Sequence, residues 1–335
     1  MPTPPSGTIK FSDLSNEFGP TTNVSLGAYR LNGGQNVGTL SDLPLDTDIP
    51  KSGSISMSRF YNKRLNVVIN YTNLPDNSTR LNARQSYNNG SPGEIVVIGG
   101  FRNKPTNPQN IKLFINTNTT IGSAPGAITN VALRTGNWRD SNNNALPSVV
   151  LECGISSKIY GAGGKGGNAN GSSGANGTSA VGLDYPTTVN NQGRIQRGGG
   201  GGGAGAFRQY AVPTGKKGKS SISSYSTGGG GGGGAGFPFG AGGSSVGGAY
   251  GVGSNGSGGA SGSYESAGAA GAGGVEAGSG GSGGQFGNGN AGGGTANQGG
   301  GSGGAHGFAF VIGSGGSKSG GGGTIEGGDV SAEPT

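Results

Sequence analysis

Apolar residues recur at i, i+2 and i+5 in three places near the N-terminus: Ile9/Phe11/Leu14, Val24/Leu26/Tyr29 and Ile55/Met57/Phe60. The step of two is the period of a strand, and the step of three suits a short helical turn. Ser12 and Ser58 stand where a hydroxyl can cap such a turn. Two copies share their leading words, Ser6-Gly7-Thr8-Ile9 and Ser52-Gly53-Ser54-Ile55. Residues 1–64 therefore read as a repeat-containing module. It is too small to bury all nine apolar repeat residues by itself, so those residues are expected to dock on another protein.

Beyond the module the pattern changes to Val- and Ile-rich runs separated by Asn, Pro, Gly and Ser clusters. Candidate strands are Leu65–Thr72, Glu94–Phe101, Ile111–Thr117, Ala127–Thr135 and Ser148–Cys153. This composition favours strands and turns in alternation. The expectation is a β-sandwich-like domain over 65–160, with Trp138 and Phe101 packing in the core or at its rim and Cys153 an inert buried thiol.

Past residue 160 the apolar periodicity disappears. Of 82 Gly, 15 fall in residues 1–160 and the other 67 in 161–335, so the second half cannot build an ordinary hydrophobic core. Gly recurs at spacing three, as in Gly161/Gly164/Gly167 and Gly171/Gly174/Gly177, and runs unbroken over Gly198–Gly203 and Gly228–Gly234. Three residues is the period of the polyproline II helix. Such helices, stripped of side chains, can approach until the backbone of one bonds the backbone of the next. Ordering Gly is entropically costly, so only many mutually bonded helices could hold. The expectation is a bundle of polyglycine II helices, in a chain otherwise mainly β and irregular. Lys158-Ile159-Tyr160-Gly161, Gly193-Arg194-Ile195-Gln196-Arg197-Gly198 and Gly323-Thr324-Ile325-Glu326-Gly327-Gly328 read as short strands or rungs beside it.

The interruptions of the Gly-rich half carry its aromatic and basic side chains. Residues 194–219 hold six basic groups and no acid. If the helices run up and down, Phe207, Arg208, Tyr210, Lys216, Lys217, Lys219, Tyr225, Phe237 and Phe239 lie at turnarounds. There, rings and cations could stack on sugars or meet acidic polymers.

Composition removes other classes. One Cys and one His allow neither an intrachain disulfide nor a structural zinc site, so no metal is expected. Gly218-Lys219-Ser220 resembles the end of a phosphate-binding loop, but Pro213 stands where that loop needs Gly. Acidic residues are scattered, and a Ser-His-Asp triad would have to rest on His306 alone. No catalytic residue, no cofactor and no enzyme activity are expected. A net charge of +7 with only 11% charged residues is far below a nucleic-acid-coating composition, and no nucleic-acid partner is expected.

Gly-rich runs alternating with aromatic, polar loops behind a β-rich domain resemble the tail-fibre tip adhesins of T-even-type bacteriophages. The resemblance implies a sandwich of polyglycine II helices whose connecting loops read host receptors, either an outer-membrane protein or a polysaccharide. The front module, with Ser-Gly-Thr-Ile-Lys-Phe-Ser-Asp-Leu and Ile-Pro-Lys-Ser-Gly-Ser-Ile-Ser-Met-Ser-Arg-Phe-Tyr, is similar to a segment of tail structural proteins of marine and cyanobacterial phages. It implies a virion location, with tail or fibre proteins as partners. The alternative is a structural tail, fibre or collar component without a receptor role. An ice-binding or matrix protein would want regular rows of Thr or Ala, which the aromatic and basic interruptions break.

Overall fold

In the computed structural model the described residues are 4–18, 26, 53–61, 66–71, 81–89, 94–98, 110–139, 148–168, 171–206, 208–212, 222–226, 229–244, 257, 259–263, 265–272, 277–285, 289–290, 292–293 and 299–331. In chain order the first elements are α1 (Phe11–Phe18), β1 (Asn66–Tyr71), β2 (Leu81–Asn82), α2 (Ala83–Asn89), β3 (Glu94–Ile98), β4 (Asn110–Ile115), β5 (Thr120–Gly122), β6 (Val131–Arg134), β7 (Ser148–Cys153) and β8 (Lys158–Tyr160). After a Gly-rich stretch come β9 (Ser179–Leu183), β10 (Pro186–Asn191) and β11 (Arg194–Gln196). A hairpin of β12 (Arg208–Val212) and β13 (Ile222–Ser226) interrupts the next Gly-rich stretch. Then β14 (Phe310–Ile312), β15 (Ser317–Gly321), β16 (Thr324–Glu326) and β17 (Asp329–Ser331) close the chain.

Apart from the hairpin, the strands form three sheets. Face A is β3-β1-β4-β7-β10-β15, face B is β5-β8-β11-β16 and face C is β2-β6-β9-β14-β17. The chain visits the faces in a fixed cycle: β4, β5, β6, then β7, β8, β9, then β10, β11, β14, then β15, β16, β17. It is a three-faced coil of four turns in which each strand lies parallel on its predecessor, and only β1 and β3 pair antiparallel within these sheets.

The coil follows from side chains that stack at one-turn intervals. Ile121, Ile159, Ile195 and Ile325 are register partners up face B. On face A, Ile69, Leu113, Leu151 and Val189 form a second column, and Tyr71, Ile115 and Cys153 a third. These columns meet in one core with Leu133, Val181 and Phe310 of face C. Like side chains at matched positions bury their apolar area against each other, and β-branched ones suit the pleat. Asn191 tops the Cys153 column. Its Nδ2 donates to the Gly322 and Thr324 carbonyls at 3.0 and 3.2 Å, and its Oδ1 accepts from the Gly193 N–H, so a buried amide is satisfied while it fixes two turns. Lys318 lies 4.5 Å over the Phe310 ring and pairs with Asp329 at 2.7 Å, closing the last turn with charge rather than an open edge.

The β-sandwich expected over 65–160 is therefore corrected to a parallel coil. The expected strands form, but each is followed by a visit to other faces, so the chain returns in the same direction and pairs parallel. Nor is residue 160 a boundary of the sheets, since β9–β11 and β14–β17 belong to the same coil.

The Gly-rich passes leave the coil between faces B and C: 161–178 joins β8 to β9, and 197–309 joins β11 to β14. Their backbones bond at intervals of three. Residues 198–206 donate to one neighbour from Gly198, Gly201 and Ala204 (to Thr178, Ala175 and Ser172), and to a second from Gly199, Gly202 and Gly205 (to Ala235, Gly232 and Gly229). Gly203 and Ala206 donate to a third (Asn290 and Gly293). The same segment accepts from three more: Gly164 and Gly167, then Gly278, Gly281 and Gly284, then Gly301, Gly304 and Gly307. It thus has six neighbours, as has the returning pass 229–236.

This arrangement explains where Gly is compulsory. A Cβ on Gly202 would lie 1.9 Å from the Gly281 oxygen, and one on Gly231 would lie 1.9 Å from the Gly202 oxygen, so the two enclosed passes are the unbroken Gly runs. On the outer pass 171–178 only every third residue, Gly171, Gly174 and Gly177, must be Gly, and Ser172, Ser173, Ala175 and Asn176 are exposed. The number of Gly per three residues records how many flanks of a pass are covered.

The N-terminal module keeps its repeat in three dimensions. Ile9, Leu14 and Phe60 are buried in a separate small core, with Leu26, Ile55, Met57 and Tyr61 packed on it. The turns correspond residue by residue, with Asp13 N–H donating to Lys10 and Arg59 N–H to Ser56. Two expected features are corrected. The segments before the turns are not strands. Ser12 and Ser58 do not cap either, since they lie inside turns that begin at Phe11 and Met57: the Asp13 carboxylate accepts from the Lys10 N–H at 2.7 Å, and in the second turn the Ser58 hydroxyl meets that of Ser56, which itself makes no side-chain cap. An acid near a helix start also satisfies its free N–H groups, and it does so with charge.

Candidate functional site

The direction of each pass determines which connections share an end. Residues 198–206 start at the coil, where Gly161 N–H donates to the Gln196 carbonyl, and finish beside Gly229 and Gly278. The pass 229–236 runs back, so that the Phe237 carbonyl accepts from Ser123 N–H in the coil. By the same hydrogen-bond registers, the described pass ends at 168 and 171, 206 and 229, 244 and 257, 272 and 278, and 293 and 301 lie away from the coil. Those at 236–240, 263–266 and 285–289 lie against it.

This separates the candidate residues into two groups. Arg208 and Tyr210 are on β12 and Tyr225 on β13, in a hairpin with Tyr210 opposite Ser224 and Gln209 opposite Tyr225. That hairpin rises from the far end. Phe207, Lys216, Lys217 and Lys219 belong to the same connection and lie outside the described residues. Phe237 and Phe239 do not join them. Their turn abuts the coil, Phe237 is buried, and a Cβ on Gly122 would strike its backbone oxygen at 2.4 Å. Phe239 is exposed, but at the near end. The ring of Phe237 seals the seam between bundle and coil, which is why an aromatic stands there.

The pass ends near Ser244 and Ser257, near Ala272 and Gly278, and near Gly293 and Gly301 also lie away from the coil, and the intervening segments 273–276 and 294–298 hold no aromatic residue to mark them; residues 245–256, with Tyr250, 273–276 and 294–298 lie outside the described residues. The signal that finds them is parity. A pass that leaves a rung such as Gly193–Gly198 goes outward, so its first turnaround is distal and its second proximal. The far-end connections carry four basic residues, Arg208, Lys216, Lys217 and Lys219, against one acid, Glu276. The near end is pinned by acid instead. Glu265, in the turn 263–266, accepts from Arg194 at 2.8 Å and from the Tyr160 hydroxyl at 3.3 Å, with Lys158 at 3.8 Å. Burial, aided by that carboxylate, pushes the Tyr160 phenol up to about 12.

Of the module's expected docking residues, Ile9, Leu14 and Phe60 form its own core, and Leu26, Ile55 and Met57 are half-covered. Phe11 is 37% exposed. Val24 and Tyr29 lie outside the described residues.

Cys153 sits in an interior column with its thiol pushed up to about 12 by burial, which removes it from nucleophilic chemistry. What this architecture offers is a hydrogen-bonded post of Gly-rich passes with the β12–β13 hairpin joined to the end away from the coil. No curated protein matches the sequence. The chain is similar to a solved structure, the gp37-gp38 adhesin tip complex of the bacteriophage S16 long tail fibre. The identity is 21% over 95% of this chain and 96% of that one, with a TM-score of 0.42. The model of one protein family, phage tail fibre adhesin Gp38, matches residues 80–309, which takes in most of the coil and the whole bundle while leaving out the N-terminal module. The chain belongs to the Gp38 family of phage tail fibre adhesins.

Proposed function

We propose that this adhesin presents the far-end connections of its Gly-rich bundle, chiefly 207–228, to a receptor on the host bacterial surface. The passes are polyglycine II helices. The bonding interval of three, an extended backbone without α-helical or ladder bonding along the described residues of the passes, and the six-neighbour packing all support that geometry. At about 3.1 Å per residue, a pass of eight to ten residues is about 25–30 Å long, enough to hold its loops clear of the coil.

The observation that carries this reading is the outward direction of 198–206 and the return of 229–236, which sets the β12–β13 hairpin at the end remote from the coil. The passes themselves offer Gly, Ala and Ser. Binding energy concentrates on aromatic and Arg anchors, and the connections are where those residues occur. Phe207, Arg208, Tyr210 and Tyr225 are the anchors proposed here, with Lys216, Lys217 and Lys219 contributing attraction to phosphate or acidic sugar. Phe237 and Phe239 are left out because their turn faces the coil.

The N-terminal module is the fibre-side contact. An adhesin must be held by its fibre, and the module stands outside the part that matches the family, with its own small core and Phe11 exposed on it. The protein thus acts in the virion, between a tail or fibre protein and the host surface.

Gly205 N–H bonds the Gly229 carbonyl, so a short Gly-Ser link can replace 207–228 without moving the passes. Phage carrying this replacement are expected to contain the protein in normal amount and to lose host adsorption. Full adsorption would assign the chain to the structural role instead.

A further inference from the structure

We propose that a cavity at the corner between faces C and A binds a carboxylated sugar. The cavity measures about 730 Å³ and is built from the turns that follow β2, β6, β9 and β14, so four successive turns of the coil supply its wall. Asn82, Arg84, Arg134, Asn137, Asp184 and Ser314 are among its lining residues. Its volume suits one or two sugar rings. It lies at a different corner from the bundle, so it is independent of the receptor reading.

The charges on its wall are unequally used. Arg134 donates through Nε and Nη2 to the two Asp184 oxygens, each at 3.1 Å, and the Gly136 N–H adds a third bond at 3.2 Å. Asp184 is therefore fully engaged. Arg84 has no carboxylate partner among the described residues. Its guanidinium lies 4.8 Å over the Trp138 ring and 5.6 Å over Tyr87, and its Nη1 is shut off from solvent with no acceptor. A ligand in the cavity cannot reach that enclosed nitrogen and would meet the guanidinium through Nε or Nη2, for which no bonded acceptor stands among the described residues.

The stack is held in place. The Trp138 Nε1–H donates to the Thr135 carbonyl at 2.9 Å, and Tyr87 meets Trp138 edge-on at 5.3 Å. Gly136, at φ +76°, is where α2 comes closest: a Cβ there would lie 2.5 Å from the Arg84 Cβ. Around this fixed cation the wall carries neutral amides, from Asn82, Gln85, Asn88 and Asn137, that can donate to and accept from hydroxyls. Arg139 also lines the wall but has a partner, as Arg134 does, so Arg84 is the cation left over among the described residues, and beside the amides it matches one carboxylate on a polyhydroxylated ring. Galacturonate has that chemistry, and an apolar ligand does not.

Trp138 is the chain's one tryptophan, so its emission reports on this cavity. The full-length protein is titrated with sodium galacturonate, galactose and sodium acetate at constant ionic strength, following emission and, in parallel, heat. A saturable response to galacturonate is expected, with galactose and acetate each at least tenfold weaker. Arg84→Gln is expected to weaken galacturonate at least tenfold by calorimetry. Asn137→Asp, an exposed change that leaves the Arg84–Trp138 stack untouched, should weaken it several-fold at low salt. The proposal is overturned if galacturonate gives no saturable signal by either readout. It is equally overturned if galactose or acetate binds as well, or if both variants bind galacturonate like the parent protein.

Discussion

Arg194 of β11 donates to Glu265 in a bundle turn at 2.8 Å, tying a coil strand to a segment 71 residues further along the chain. The Tyr160 hydroxyl joins the same carboxylate from the neighbouring strand. Both members of the pair are over two-fifths exposed, so the contact itself is worth at most about 1 kcal/mol. Its role is positional. Glu265→Gln is expected to speed amide exchange in 257–272 while leaving the core strands β4 and β7 protected. Equal exchange in both would show that the carboxylate does not hold the turn.

The enclosed passes set the strongest sequence requirement. Gly202→Ala and Gly231→Ala each force a methyl onto a backbone oxygen 1.9 Å away. The bundle must open at that point, at a cost of about 1–3 kcal/mol or more. Ser173→Ala on the exposed side of 171–178 is expected to be neutral within about 0.5 kcal/mol. Thermal melts of the three variants check this ordering. A stable Gly202→Ala protein would contradict the packing described.

The Gly run 198–203 and the every-third Gly of 171–177 differ because one pass is enclosed and the other peripheral, and that difference is written directly in the sequence. The rungs around Ile159, Ile195 and Ile325 were also readable, and they do lie side by side. The coil was not. β2 and β5 are two and three residues long, too short to show a period, and β10 buries Thr187 and Asn191 where a sequence pattern seeks apolar residues. Parallel return through other faces leaves the same turn residues as a hairpin would. Aromatic composition marks the turn at Phe237 but not which end of the bundle that turn occupies.

Burial sets a pH response. The Tyr71 and Tyr160 phenols are pushed up to about 12 from 10.0, and the Cys153 thiol to about 12 from 9.0, in each case mainly by loss of water. A folded value above the unfolded one adds stability that is complete below the unfolded pKa and lost as pH rises through the folded one. The melting temperature is therefore expected to stay level up to about pH 8.5 and fall between about pH 9 and 12. Native Cys153 should resist iodoacetamide at pH 8 and react fully once the chain is unfolded in guanidinium. Rapid native alkylation would contradict its place in the interior column.

The proposed receptor contact of 207–228 carries positive charge in its sequence, so adsorption is expected to depend on salt. Lys216, Lys217 and Lys219 changed together to Ala should weaken host adsorption most at low ionic strength, since exposed charges are screened over about 10 Å at 0.1 M salt. The gap between parent and variant is expected to close as salt is added. A gap that persists unchanged at high salt would assign the loss to shape rather than charge.

Photo-crosslinking on adsorbed particles tests whether the end remote from the coil meets the receptor. A photoreactive residue is placed singly at Lys217 in a far-end connection, at exposed Phe239 in the near-end turn, or at exposed Ile155 on the coil. Host-surface adducts are expected from position 217 and from neither of the others. Adducts from 239 or 155 with none from 217 would place the receptor contact on the coil side instead.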